Sequence, residues 1–313
     1  MNQYRGEPSV NPKGLMAMLI TLLIWVGFLL SLRAENQSVL TSSDLALMRF
    51  GIPAMLFLPW FLKQWQQIRH IPWQFHLMIM LGGLPFFYLV SLGSQYAPAA
   101  HAGALVPGTA PLFVTALAVL IFKEPLSRSR LIGLGIILMG VTLLLGSALL
   151  NFSQGYWRGH LTFLGASLLW AFYTLGLRVA GISALQATAL LCSSATIGLL
   201  LMLCFGWIES SAISTPWNEL WPFLLTQGIG AGVIGGITYG IAISNLGAEK
   251  TAALGSFTPA LAALVAIPLL GEQLTFSTIT GVTVIMFGVL FASGIKWQRT
   301  SSHHTAVLKE TSR

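Results

Sequence analysis

Charged side chains are scarce in this chain. Asp, Glu, Lys and Arg make up 8% of the 313 residues, about a third of what an ordinary water-facing domain carries, and a soluble globular protein is excluded on that ground. Cysteine is nearly missing as well. The only two, Cys192 and Cys204, stand in one apolar run, about 18 Å apart along a helix axis, so they cannot bridge within it. A disulfide framework and a cysteine-held metal are both ruled out. The 9 acidic residues all fall outside the apolar runs or at their ends, so no carboxylate relay crosses the hydrophobic stretches. There is no HExxH, no phosphate-binding loop and no dinucleotide glycine fingerprint, which removes zinc peptidases, self-contained ATP-driven pumps and nicotinamide enzymes. Gly165, Ala166 and Ser167 could pass for the serine loop of an intramembrane protease with His101 as base, but here the histidine precedes the serine, reversing the order of those enzymes. No catalytic residue is expected, and His303 with His304 in the polar tail makes a poor metal site. No cofactor is called for.

What the chain has in abundance is hydrocarbon. Hydrophobic residues reach 55% and mean hydropathy is +0.77. Ten apolar runs can be drawn, over residues 15–32, 45–62, 73–93, 99–122, 131–149, 161–180, 185–207, 218–243, 251–270 and 276–295. Each is long enough to cross a bilayer core about 30 Å thick as a helix. Their continuity argues for helices, because barrel strands alternate apolar and polar residues. The partner implied is the lipid bilayer. A net charge of +7 does not point to nucleic acid, since the basic residues are scattered over short loops without a basic face. Of the 16 Lys and Arg, all but Arg33, Arg49 and Arg158 fall on one side of a ten-span path. The positive-inside rule then places both termini in the cytoplasm. The first run is itself part of a repeat, so residues 1–13 read as a cytoplasmic leader and not as a cleaved signal. Trp73, Trp157, Trp217, Trp221 and Trp297 suit anchoring at the two membrane surfaces.

The same pattern occurs twice. Gly14, Trp25 and Arg33 recur 145 residues on as Gly159, Trp170 and Arg178. Pro111, Glu124, Leu126, Gly133 and Gly140 recur 148 residues on as Pro259, Glu272, Leu274, Gly281 and Gly288. Five spans per copy is an odd number, so the second copy must enter the membrane from the opposite side. The organisation expected is a leader (1–13), a first five-helix repeat (14–149), a linker (150–158), a second repeat (159–296) and a cytoplasmic tail (297–313).

These residues carry a family resemblance over nearly the whole chain. Leu23, Ile24 and Trp25, then Leu47, Met48, Arg49 and Phe50, are in the style of the EamA family of the drug/metabolite transporter superfamily. Leu168 to Tyr173 resembles that family's sixth helix. Gly271, Glu272, Gln273, Leu274 and Thr275 resembles its turn after helix nine, where the first copy has Lys123, Glu124, Pro125, Leu126 and Ser127. Lys123 stands where the family has glycine. The resemblance implies an all-α membrane protein with ten transmembrane helices in two inverted five-helix repeats around a central cavity. It also implies efflux of small metabolites, amino acids or related compounds, with drugs as a further class, from the cell inner membrane. The competing reading is an importer or exchanger of anionic metabolites that uses Arg49 and Arg33.

Polar groups inside hydrocarbon should face the bundle interior, and helical spacing shows which share a face. Thr21, Trp25 and Phe28 form one stripe, and Ser167, Trp170 and Thr174 form its counterpart in the second copy. Tyr88, Ser91 and Gln95 make a third; His101, Gly108 and Thr115 repeat every seven residues; Tyr173 and Tyr239 add hydroxyls. Either these residues line a substrate cavity with aromatic walls, or they pack helices together. Arg49 lies five residues past Asp44. Its guanidinium either snorkels to the outer interface or pairs with that carboxylate, or it offers a counter-charge to a substrate carboxylate or phosphate. Proton coupling would need His101 or a carboxylate at a span end, and it is expected to be weak or absent. Gly228, Gly232, Gly236 and Gly240 form a small-residue stripe, for close packing or for sliding against a neighbour. The oligomer expected is a monomer or homodimer.

Overall fold

Prolines and glycines decide where the apolar runs break into helices. The computed structural model describes residues 11–150 and 152–293. The first ten residues of the leader, the last residues assigned to the tenth run, and the tail with Trp297, His303 and His304 lie outside the described residues. Among the described residues nine helices are long and apolar enough to cross a membrane: α1 (Pro12–Gln37), α2 (Ser42–Ile68), α3 (Trp73–Tyr96), α4 (Ala99–Phe122), α5 (Arg128–Leu150), α6 (Tyr156–Ala180), α7 (Leu185–Cys204), α8 (Trp217–Leu246) and α9 (Lys250–Leu270). α10 (Phe276–Ala292) is shorter and also apolar.

The ends follow local chemistry. α2 begins at Ser42, three residues before the expected boundary, because Thr41 and Asp44 form a reciprocal capping box. α7 stops short of residue 207 because Gly206 turns left-handed, with φ 69°, and Trp207 N–H then donates to Met202 O at 2.8 Å, closing the helix in the manner of a Schellman motif. The substituted turn at Lys123 keeps the glycine geometry: Lys123 has φ 53° and its counterpart Gly271 has φ 65°.

Consecutive helices run in alternate directions. The face carrying residue 12 is called proximal here, and the face carrying Arg33 distal. Gly14 abuts Asn245 and Leu246 at the proximal end of α8, while Gly159 abuts Ala97 at the distal end of α3. One contact is the other turned upside down, as inverted copies require. The repeated glycines of the second motif have a common use in the α5–α10 pair. A Cβ on Gly288 would fall 2.6 Å from Ile137 N, and one on Gly140 would fall 2.9 Å from Ile285 N. Only glycine lets the two backbones lie so close.

α4 and α9 are both broken at mid-length. α4 divides into Ala99–Leu105 and Ala110–Phe122, and α9 divides into Ala248–Gly255 and Thr258–Leu270. Pro111 and Pro259 open the later pieces, where a missing N–H is harmless. The distal pieces are packed together: Gly103 sits so near Pro259 that a Cβ would lie 2.8 Å from its Cα. Val26, Leu30, Ala99, Ala262 and Ala266 form an apolar cluster beside them. The proximal pieces, Ala110–Phe122 and Ala248–Gly255, make much weaker contact with one another than the distal pieces do. The two broken helices are therefore joined more firmly toward the distal face than toward the proximal one.

Candidate functional site

Arg49 occupies a widened turn of α2. Pro53 lacks an amide hydrogen and its ring crowds the carbonyl four residues back, which is that of Arg49. The chain relaxes into a π-helical turn over Leu47–Gly51. α8 has its own π-helical stretch, Leu224–Ile234, and its glycines receive this turn. A Cβ on Gly232 would lie 2.8 Å from Arg49 O and 2.7 Å from the Pro53 ring. Wide turns of this kind concentrate at functional sites. With its backbone held against α8, Arg49 sends its guanidinium over the ring of Phe28, 4.6 Å from the centroid, with Phe50 at 5.8 Å.

The expected pairing of Arg49 with Asp44 is not formed. The Asp44 carboxylate accepts instead from Thr41 N–H at 2.9 Å, from Thr41 Oγ1, from Ser211 N–H at 3.2 Å and from Ser210 Oγ. It ties the segment after α7 to the start of α2. Nε and Nη1 of Arg49 are buried and have no acceptor. A cation in that position keeps much of its desolvation penalty until an anion arrives.

Further aromatic rings pair within and between the two repeats. Trp25 and Tyr239 lie 5.2 Å apart, Trp170 and Tyr173 lie 5.0 Å apart, and Phe86 lies 5.2 Å from Trp170. Tyr173 is placed by a gap in α3, whose helix is interrupted at Gly82: a Cβ there would fall 2.6 Å from Tyr173 Cβ. Cys192 and Tyr173 are within electrostatic reach of Arg49, and Tyr239 within reach of Tyr173. Trp25, Arg49, Trp170, Tyr173 and Tyr239 thus gather in one region built from both repeats. Trp25, Trp170, Tyr173 and Tyr239 are half-buried, and Phe86 is buried.

The other expected residues go elsewhere. Thr21 is fully buried in the α1–α8 seam, 2.8 Å from Thr238 Oγ1. Thr174 donates to its own helix at Trp170 O. Tyr88 reaches Ser43 Oγ at 3.1 Å. Ser91 is bonded to Ser42 Oγ and to Glu35 Oε2, at 2.8 and 3.1 Å. Gln95 is exposed at the distal face. His101 is buried, with Nδ1 2.8 Å from His160 Nε2 and Nε2 2.8 Å from Thr278 Oγ1. Ser167 Oγ takes a bond from Thr109 Oγ1, and no hydrogen bond joins it to His101. Of the glycine stripe, Gly228 and Gly232 pack against α2, whereas Gly236 has only Thr188 Oγ1 nearby, at 3.7 Å, and Gly240 meets open space.

Four residues escaped the sequence reading. Starting α6 at residue 161 left His160 outside the span, although the helix begins at Tyr156. Glu35 is 7% exposed with only hydroxyl partners. Cys192 and Gln227 are buried polar groups in α7 and α8, and Gln227 Nε2 donates to Ser31 Oγ at 2.7 Å. Their signal was residue type alone. Among the described residues no group of three or more His, Cys, Asp or Glu could hold a metal ion. An apolar crevice of about 310 Å³ between α1 and α8, lined by Ile20, Leu23, Ile24 and Ile229, contains none of the charged or aromatic residues above. It is a seam toward lipid.

Comparison with known proteins agrees with this architecture. The model of the EamA-like transporter family matches twice, over residues 12–146 and 157–294. A Bacillus subtilis (strain 168) protein, the uncharacterized transporter YyaM, is 24% identical over 286 residues, covering 89% of this chain and 93% of its own. A solved crystal structure with 20% sequence identity superposes with a TM-score of 0.60, covering 89% of this chain and 96% of that one.

Proposed function

The chain belongs to the EamA-like transporter family, and we propose that it exports small metabolites bearing a carboxylate or similar anion, amino acids and related compounds first among them, by alternating access. It is a multi-pass membrane protein. The observation that carries the substrate class is the half-buried guanidinium of Arg49, whose Nε and Nη1 are buried without an acceptor and which lies over the rings of Phe28 and Phe50. An arriving carboxylate supplies the missing acceptor bonds, and the rings receive an apolar or aromatic body.

In this reading the basic residues Lys13, Lys63, Arg69, Lys123, Arg128 and Arg130 hold the proximal face in the cytoplasm of an inner-membrane protein. The looser contact between the proximal pieces of α4 and α9 then gives the site access to the cytoplasm, the side from which an exporter loads. The test is counterflow in proteoliposomes with labelled amino acids, phosphorylated sugars and cationic drugs. Arg49→Gln should weaken carboxylate and phosphate substrates about 10- to 100-fold, the scale of a lost charge-assisted hydrogen bond, while sparing cations. Equal loss for cations and anions would defeat the assignment.

A further inference from the structure

The two interrepeat ion pairs are symmetry counterparts, but they are unequally assembled. At the distal face Glu272 accepts from Arg33 Nε at 3.1 Å and, through both carboxylate oxygens, from Ala99 N–H at 3.1 Å. It thereby caps the first turn of α4. Arg33 Nη1 also donates to Ser94 O at 2.6 Å at the end of α3. Four helices are tied at one point. At the proximal face the counterpart residues Glu124 and Arg178 bond each other, and Arg178 otherwise lies over the Phe122 ring, 5.3 Å from its centroid. Their side chains are 36% and 49% exposed, against 7% and 27% for Glu272 and Arg33.

The repeat offset says what is missing. Glu124 maps onto Glu272, and by the same offset Ala99 maps onto Gly247 and Ser94 onto Ala242. Among the described residues Glu124 bonds Arg178 and caps no amide at the start of α9, and that piece of α9 contacts the proximal piece of α4 far less than the distal pieces contact each other. We propose that Glu124 and Arg178 are positioning residues of a second latch, completed only in the state open to the distal side. There Glu124 accepts from the amides that begin α9 after Gly247, Arg178 donates to carbonyls at the end of α8, and the Glu272 latch is released. Each latch closes one gate, and the balance between them sets which compartment reaches the site. The inference rests on the alternating-access reading but not on the identity of the substrate.

The experiment places a reporter cysteine at Gly240, in the Cys204→Ser chain, and reads its labelling by a membrane-impermeant maleimide applied to the proximal side of membrane vesicles, without substrate. The Cys204→Ser chain itself gives the background. Glu272→Gln should lower labelling about three- to tenfold, as loss of a charged latch shifts a two-state equilibrium. Adding Glu124→Gln should bring labelling back toward the parent, and adding Glu124→Asp should not, because the shorter carboxylate still caps. Arg33→Gln replaces Glu272→Gln if the latter does not purify as a monodisperse, cooperatively melting protein. The proposal is overturned if the distal variant leaves labelling unchanged, or if Glu124→Gln fails to restore it. A parent chain unlabelled at Gly240 would overturn the proximal-open starting point, whatever counterflow says of Arg49.

Discussion

Lys123 and Gly271 share the left-handed backbone conformation, at φ 53° and 65°, and each is followed by the glutamate of an interrepeat ion pair. Glycine adopts this conformation freely, whereas a residue with a Cβ is strained there by about 1–2 kcal/mol. The chain accepts that strain to keep Glu124 aimed at Arg178. Lys123→Gly should therefore stabilise the protein by about 1 kcal/mol, after the entropy that glycine adds to the unfolded chain. A thermal melt in detergent should move up by about 2 °C; an unchanged or lower midpoint would mean that the turn is not strained.

Replacing Arg49 by methionine should raise stability while abolishing transport of anions. Removing an unpaired buried charge relieves about 1–3 kcal/mol of desolvation, which exceeds the contact with the Phe28 ring, about 0.5–2 kcal/mol. A variant that melts higher and no longer exchanges carboxylates marks a group kept for binding. A variant that melts several degrees lower would mark a structural cation instead.

Asp44 and Arg49 should behave as independent residues. Asp44→Asn weakens bonds to Thr41, Ser210 and Ser211, at about 1–3 kcal/mol. Limited proteolysis should then cut faster between residues 205 and 216, with anion selectivity in counterflow unchanged. If Asp44→Asn altered selectivity as Arg49→Gln does, the two side chains would be partners during transport after all.

The glycine stripe of α8 should split into two behaviours. Gly232→Ala pushes a methyl against the Pro53 ring and Arg49 O, which lie 2.7 and 2.8 Å from the new atom, and should lower stability by about 1–3 kcal/mol. Gly240→Ala meets nothing and gains helix propensity, about 0.5–1 kcal/mol. Paired melts decide this, and equal effects would refute the division.

Helix number and duplication were legible because both are written at long range, as continuous apolar runs and as motifs 145 and 148 residues apart. The family assignment followed from the same order of motifs. Pairings inside the bundle were less legible. Residues five apart lie about 140° around an ordinary helix, which already disfavours contact between Asp44 and Arg49, and Pro53 then adds a wide turn that residue counting does not show. Thr21 and Trp25 sit on one stripe, yet the stripe straddles a packed seam and an aromatic cluster, so Thr21 bonds Thr238 while Trp25 meets Tyr239. His160 was hidden by a boundary placed five residues late.

The crossed ion pairs bear on how the two halves depend on each other. The arginine ending the first helix of each repeat finds its glutamate in the other repeat, never in its own. Neither repeat pairs its own arginine with its own glutamate. Two copies inserted in opposite orientations satisfy both at once, so each half of the chain completes an ion pair of the other.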